Sequence, residues 1–214
     1  MKLNSFQLKC IAIVTMLIDH MGAVLFPQYL IFRCVGRISF PIFCFLLTEG
    51  FFYTKNIKKY LIRLGSFALL SEIPYDLAFR KTCLEFTRQN VFFTLFIGVL
   101  MMLAVSRTNK LIIKMTYVLI AMWGAQILAS DYGYKGILLI AVYYFFRKNN
   151  GLKIIVGSAW NFIWNSSVQG YGSLASLLIM MYNGEKGRSM KYIFYVFYPV
   201  HLLILYFISA ILIR

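Results

Sequence analysis

Residues Leu8–Pro27 read LKCIAIVTMLIDHMGAVLFP, and this run decides the fold. It is apolar over the roughly 20 residues that a helix needs to cross a bilayer. Two basic residues, Lys2 and Lys9, precede or open it, as in a secretory signal peptide. Asp19-His20 interrupts it, however, and no A-x-A cleavage pattern follows. The run therefore reads as a retained first membrane span with an ionisable pair inside it.

Working outward, the remaining chain has the same character. Of 214 residues, 61% are apolar and 14% charged, against about 45–50% and about 25% in soluble domains. The mean hydropathy is +0.74. Disordered, collagen-like and disulfide-scaffold readings are excluded by 4 Pro, 14 Gly and 4 Cys. The expectation is an all-α, polytopic transmembrane helical bundle, one integral-membrane domain over residues 1–214. About nine spans are expected, near 8–26, 32–53, 60–79, 91–106, 112–129, 134–147, 152–164, 171–182 and 190–212. The sixth to eighth are short and Gly-interrupted, which leaves room for a re-entrant segment. Cys10, Cys34, Cys44 and Cys83 lack CxxC spacing, and no metal site or disulfide is expected from them.

The net charge of +15 would suggest a nucleic-acid partner in a soluble protein. Here the basic residues fall in loops, where membrane proteins collect them on the cytoplasmic side, so no nucleic acid is expected. With a cytoplasmic N-terminus, 15 of the 22 Lys and Arg lie inside: Lys2 and Lys9, then Lys55, Lys58, Lys59 and Arg63, then Arg107, Lys110 and Lys114, then Arg147, Lys148 and Lys153, then Lys186, Arg188 and Lys191. Arg33, Arg37, Arg80, Lys81, Arg88, Lys135 and Arg214 lie outside. This excess predicts N-in, C-out and an odd number of spans.

Ionisable groups inside a bilayer are costly and point to function. The candidates are Asp19, His20, Arg33, Arg37, Glu49, Glu72, Asp76 and His201. Most converge on one level near the outer face, joined by Asn90 and Thr94, and this predicts a cavity. Glu72 and Asp76 stand i,i+4 on one helical face, with Arg37 as the expected counter-ion. Thr15 is placed to hydrogen-bond Asp19. A carboxylate partner for His20 has to come from another span, because Asp19 points about 100° away from it. Glu49-Gly50 reads as a cap at the inner end of the second span. Pro41, Pro74 and Pro199 free the carbonyls of Arg37, Leu70 and Tyr195, loosening backbone at membrane depth.

The same residues carry a resemblance. Leu8–Pro27, VGRISFPIFCFLLTEGFFYT (Val35–Thr54), YLIRLGSFALLSEIPYDLAF (Tyr60–Phe79), NVFFTL (Asn90–Leu95), MYNGEKG (Met181–Gly187) and KYIFYVFYPVHLLIL (Lys191–Leu205) resemble, in order, the blocks of the TraX family of membrane proteins. That family is named for an enzyme that acetylates a conjugative pilin subunit, and it is similar to the acyltransferase-3 superfamily. The resemblance implies acyl transfer from cytoplasmic acyl-CoA to an acceptor at or beyond the membrane. The superfamily's first span carries a basic residue, ten residues, then His; Lys9 and His20 match that spacing. The resemblance therefore assigns catalysis to His20 and acyl-CoA handling to Lys9. It also implies a multi-pass protein of a bacterial inner membrane.

On chemistry and depth, His20 is expected as general base. Asp19, Glu72 or Asp76 is expected to tune it, and Arg37 to stabilise the oxyanion. Asn90, Thr94, Tyr198 and His201 are expected to bind substrate. Acetyl-CoA is the expected acyl donor, its phosphates meeting Lys55, Lys58, Lys59, Arg63, Lys186 or Arg188. The expected acceptor is an envelope peptide amine, sugar or lipid. Two other readings use the same residues: a proton-coupled transporter built on Asp19, His20, Arg37, Glu72 and Asp76, and a purely structural partner in an envelope complex.

Overall fold

The computed structural model describes residues 2–164 and 168–212. Arg214 and the side chain of Lys191, both counted above, lie outside that description. Among the described residues there are eleven α-helices and a 3-10 helix, and contact between extended segments is limited to two isolated bridges, Leu3 with Tyr182 and Gln89 with Ser130. The helices are α1 Ser5–Val24, α2 Leu30–Gly36, α3 Ser39–Tyr53, α4 Ile57–Leu70, α5 Glu72–Arg80, α6 Val91–Ser106, α7 Leu111–Ile127, α8 Gly133–Phe145, α9 Asn150–Ile163, α10 Ala175–Met180 and α11 Lys191–Leu212. The 3-10 helix, Gln169–Leu174, leads into α10.

These elements follow the nine apolar segments closely. The second, third and eighth segments are each two helical pieces. The second breaks at Arg37–Ile38 and the third at Ser71, three or four residues before Pro41 and Pro74. Proline cannot bond the carbonyl four residues back and crowds it, so the helix turns just upstream. Pro199 stays inside a continuous α11. Three segments are long and apolar enough to cross a membrane: Ser5–Val24, Leu30–Tyr53 and Tyr192–Leu212. Val91–Ser106, Leu111–Ile127 and Gly133–Phe145 are shorter apolar helices. Four helices start on an asparagine cap: Asn4, Asn56, Asn90 and Asn149 each accept a backbone N–H of the first turn, which satisfies a donor with no helical partner.

The protein is a membrane protein by its surface as well as its helices. Ile112, Leu119 and Trp123 on α7 are exposed, as are Ile155 and Ile163 on α9 and Ile204 and Ile211 on α11. An apolar exterior of this extent suits lipid, not water. The inside is organised on α3, which is buried at ten of its fifteen positions and packs on α1, α6, α8 and α10. Helix α1 packs on α2, α3 and α11.

Close approach of α1 and α2 depends on Gly36. A Cβ there would sit 2.5 Å from Cγ of Asp19 and closer still to its Cβ and Oδ1. No larger residue fits without moving Asp19, so the GRISFP segment is tied to the ionisable pair by backbone packing.

Candidate active site at the meeting of two cavities

Helices α1 and α11 bring together two histidines 181 positions apart. His20 Nδ1 lies 2.7 Å from His201 Nε2, with the rings nearly parallel. His201 Nδ1 lies 2.7 Å from the carbonyl of Phe197. A carbonyl only accepts, so His201 Nδ1 carries the proton, and in the neutral ring its Nε2 is the acceptor. His20 Nδ1–H then donates to it. His20 Nε2 is left unprotonated, with a free lone pair. Tyr198 and Phe79 set their rings edge-on to His20. The partner of His20 is thus a histidine, and neither Asp19 nor Glu72 nor Asp76 occupies the place expected for a carboxylate.

Asp19 has other partners. Arg33 Nη1 donates to its Oδ2 at 2.6 Å, and Arg37 Nη2 is 3.5 Å from Oδ1. Arg37 is therefore the counter-ion of Asp19, and the expected pairing with Glu72 or Asp76 is corrected. The kink at Arg37–Ile38 turns Arg37 toward α1. Thr15 is also corrected: its hydroxyl donates backward to Ile11 and Ala12 carbonyls at 2.9 and 3.2 Å, not to Asp19.

Glu72 and Asp76 form a separate cluster. Glu72 Oε1 accepts the Asn90 backbone N–H at 2.9 Å and also its Nδ2. Asp76 Oδ2 accepts the Glu85 N–H at 2.7 Å, with Arg80 at 4.0 Å. Arg80 also pairs with Glu85 at 2.5 Å. Together they clamp the segment between α5 and α6. Asn90 caps α6, and Thr94 bonds Ser130 at 3.0 Å. Glu49 bridges α3 to the end of α8 through Arg147, at 2.8 and 3.3 Å, and so replaces the expected cap.

Two cavities meet at the α1 pair. One, of about 840 Å³, opens away from the N-terminus and is lined by Arg33, Arg37, Arg80, Arg88 and Lys135 among others. The second, about 600 Å³, reaches the N-terminal end of α1, where Lys9, Lys55, Arg63 and Lys186 are among its lining residues. Its middle is apolar, with Phe40, Phe43, Leu46, Leu47 and Leu95, and Tyr198 is on its wall. Asp19, His20, Asp131 and Tyr132 line both cavities. Glu72, Asp76, Asn90, Thr94 and His201 line neither. Lys9 lies over the Phe194 ring.

Asp131 and Tyr132 were missed by sequence reasoning, which placed them in a loop. They are held at the junction by a turn after α7, where Ala129 takes a left-handed φ of 46°. Gln89 N–H donates to the Ala129 carbonyl at 3.0 Å. Asp131 pairs with Arg88 at 3.1 Å, and burial pushes its carboxyl above the usual range while Arg88 opposes the shift. The scarcity of acids was the available signal: with only 7 Asp and Glu in the chain, each one merits a partner.

Comparison with known proteins gives a consistent family. A family model described as "TraX protein" matches residues 5–209. The "probable fimbrial assembly protein FimC, serogroup H1" of Dichelobacter nodosus is 32% identical over 233 aligned residues, which cover 94% of each chain. An uncharacterized protein of Rickettsia prowazekii (strain Madrid E), RP591, is 31% identical over 91 residues, covering 42% of this chain and 33% of its own. No solved structure matches significantly.

Proposed function

The chain belongs to the TraX protein family, and on that premise we propose that it is a membrane-embedded acyltransferase of the bacterial inner membrane. It moves an acetyl or short acyl group from cytoplasmic acyl-CoA to an amine or hydroxyl acceptor on the outer side. The observation that carries this reading is the meeting of two cavities from opposite ends at His20. A transferase needs separate entries for donor and acceptor, and one base where they meet.

The proposed topology follows from charge. Nine crossings with a cytoplasmic N-terminus put the mouth bearing Lys9, Lys55, Arg63 and Lys186 in the cytoplasm. These cations suit the phosphates of CoA. The apolar middle suits the pantetheine arm, which brings the thioester to His20. From the other cavity, the acceptor presents its nucleophile.

The step balances as follows. His20 Nε2 takes the proton of the acceptor's hydroxyl or amine as that atom attacks the thioester carbonyl. The carbonyl oxygen gains negative charge, which Arg37 and the Tyr132 hydroxyl beside it are placed to stabilise. The C–S bond breaks as the carbonyl re-forms. The thiolate leaves as CoA and takes the proton back from His20. His201 holds the proton of His20 on Nδ1 throughout, so Nε2 is the working nitrogen. The name of the Dichelobacter nodosus relative, a fimbrial assembly protein, fits an acceptor at the cell envelope: a peptide amine, a sugar or a lipid.

The test is release of CoA from acetyl-CoA by detergent-purified protein, wild type against His20→Ala. Removal of a general base costs about 10²–10⁴-fold, so the variant should be inactive while it remains monodisperse. A wild-type protein that neither turns over nor binds acetyl-CoA, but loses proton-linked flux in proteoliposomes on His20→Ala, would overturn the transferase in favour of a transporter.

A further inference from the structure

Five basic side chains line the cavity that opens away from the N-terminus: Arg33, Arg37, Arg80, Arg88 and Lys135. Two acids, Asp19 and Asp131, line it with them. These five account for most of the seven basic residues that stand against the positive-inside trend. Topology gives no reason for them to be there. The donor gives none either, because its phosphates have their own cationic mouth at the far end of the other cavity.

The existing partners leave capacity unused. Arg33 and Arg37 share the one carboxylate of Asp19. Arg37 Nε is buried without a hydrogen-bond partner. Lys135 donates to the Trp164 carbonyl at 2.7 Å, a neutral acceptor that takes one of its three donors. Arg88 pairs with Asp131, yet its side chain remains 56% exposed. Cations in a partly enclosed site draw an anion, and focusing by the cavity walls raises its local concentration.

We infer that this cavity binds an anionic acceptor, one that carries a phosphate or carboxylate group near the hydroxyl or amine to be acylated. The inference rests on the transferase reading above. Lys135 and Arg88, both in the cavity lining, hold the anionic group by charge-assisted hydrogen bonds. The nucleophile then points inward, toward His20. Such chemistry belongs to a phospholipid headgroup as well as to an anionic glycan or peptide.

The experiment measures binding, not turnover. Glycerol 1-phosphate and glycerol are titrated calorimetrically into the full-length protein in zwitterionic nanodiscs at constant ionic strength. The phosphate should bind at least tenfold tighter than glycerol. Lys135→Gln and, independently, Arg88→Gln should each weaken it about tenfold, and Lys186→Gln at the other mouth should leave it unchanged. Equal affinity for the two probes, or loss only in Lys186→Gln, overturns the inference. Nanodiscs containing phosphatidylglycerol separate the sources: competition identifies a lipid headgroup, and undiminished binding identifies a non-lipid acceptor. CoA release is followed in the same preparations. Its absence beside selective phosphate binding would overturn the transferase and leave the anion site standing.

Discussion

The His20 junction and the α5 clamp both bury carboxylates at the same end of the bundle, but their partners differ in kind. Asp19 is held by the side chains of Arg33 and Arg37 beside two cavities. Glu72 and Asp76 are held by backbone N–H groups of Asn90 and Glu85, with the Asn90 side chain also on Glu72 and Arg80 no nearer than 4.0 Å to Asp76, and they line neither cavity. A carboxylate tied to backbone donors fixes a loop in place. One tied to arginine side chains at a cavity wall can exchange partners when a substrate arrives. On the proposed function the difference separates a structural cluster from a chemical one, and residue type alone does not reveal it.

The sharpest way to break the comparison is at His201. It touches His20 but lines neither of the two cavities, so in the proposed transferase it positions the base. His201→Ala should lower acetyl-CoA turnover by about 10²-fold, because the proton of His20 is no longer confined to Nδ1. Affinity for acetyl-CoA should be unchanged. Added imidazole, which fits the space vacated, should restore part of the rate. Loss of rate without rescue, accompanied by unfolding, would make His201 another scaffold residue and erase the distinction from the clamp.

The converse test is Asp76→Ala. The half-buried Glu85 N–H loses its acceptor, and a hydrogen bond of this kind contributes about 0.5–1.5 kcal/mol net. The unfolding temperature should fall, while CoA release stays within about twofold of wild type. A large loss of turnover without loss of stability would move the clamp into the chemistry and restore the single convergent site that depth alone suggests.

That convergence shows where sequence reasoning reaches its limit here. Hydropathy places the apolar segments because twenty consecutive apolar residues have few other uses. Pro41 and Pro74 mark the broken helices because a missing N–H has a local consequence. Depth follows from counting along a span. Azimuth does not: which residues face each other depends on kinks such as that at Arg37–Ile38 and on close packing such as Gly36 against Asp19. The pairing of Arg37 with Asp19 was therefore hidden, and so was the meeting of His20 with a residue 181 positions away. Asp131 was hidden for another reason. A residue between two apolar runs reads as a solvated loop, whereas the turn at Ala129 folds it back to the junction.

The smallest effect refines the clamp itself. Glu85 lies outside the helices, and its hydrogen bonds from Arg80 and the Thr87 hydroxyl hold its carboxyl below the ordinary value of 4.5. A depressed folded value means that the contribution is complete above 4.5 and fades as pH falls through the lower folded value. Exchange of the Glu85 backbone N–H, corrected for its intrinsic pH dependence, should stay protected from neutral pH to about 5 and lose protection only in more acid solution. Glu85→Gln should flatten that acid transition. If the variant keeps it unchanged, the titrating group is another carboxylate of the clamp, Asp76, and the ion pair of Arg80 with Glu85 contributes little to holding the loop.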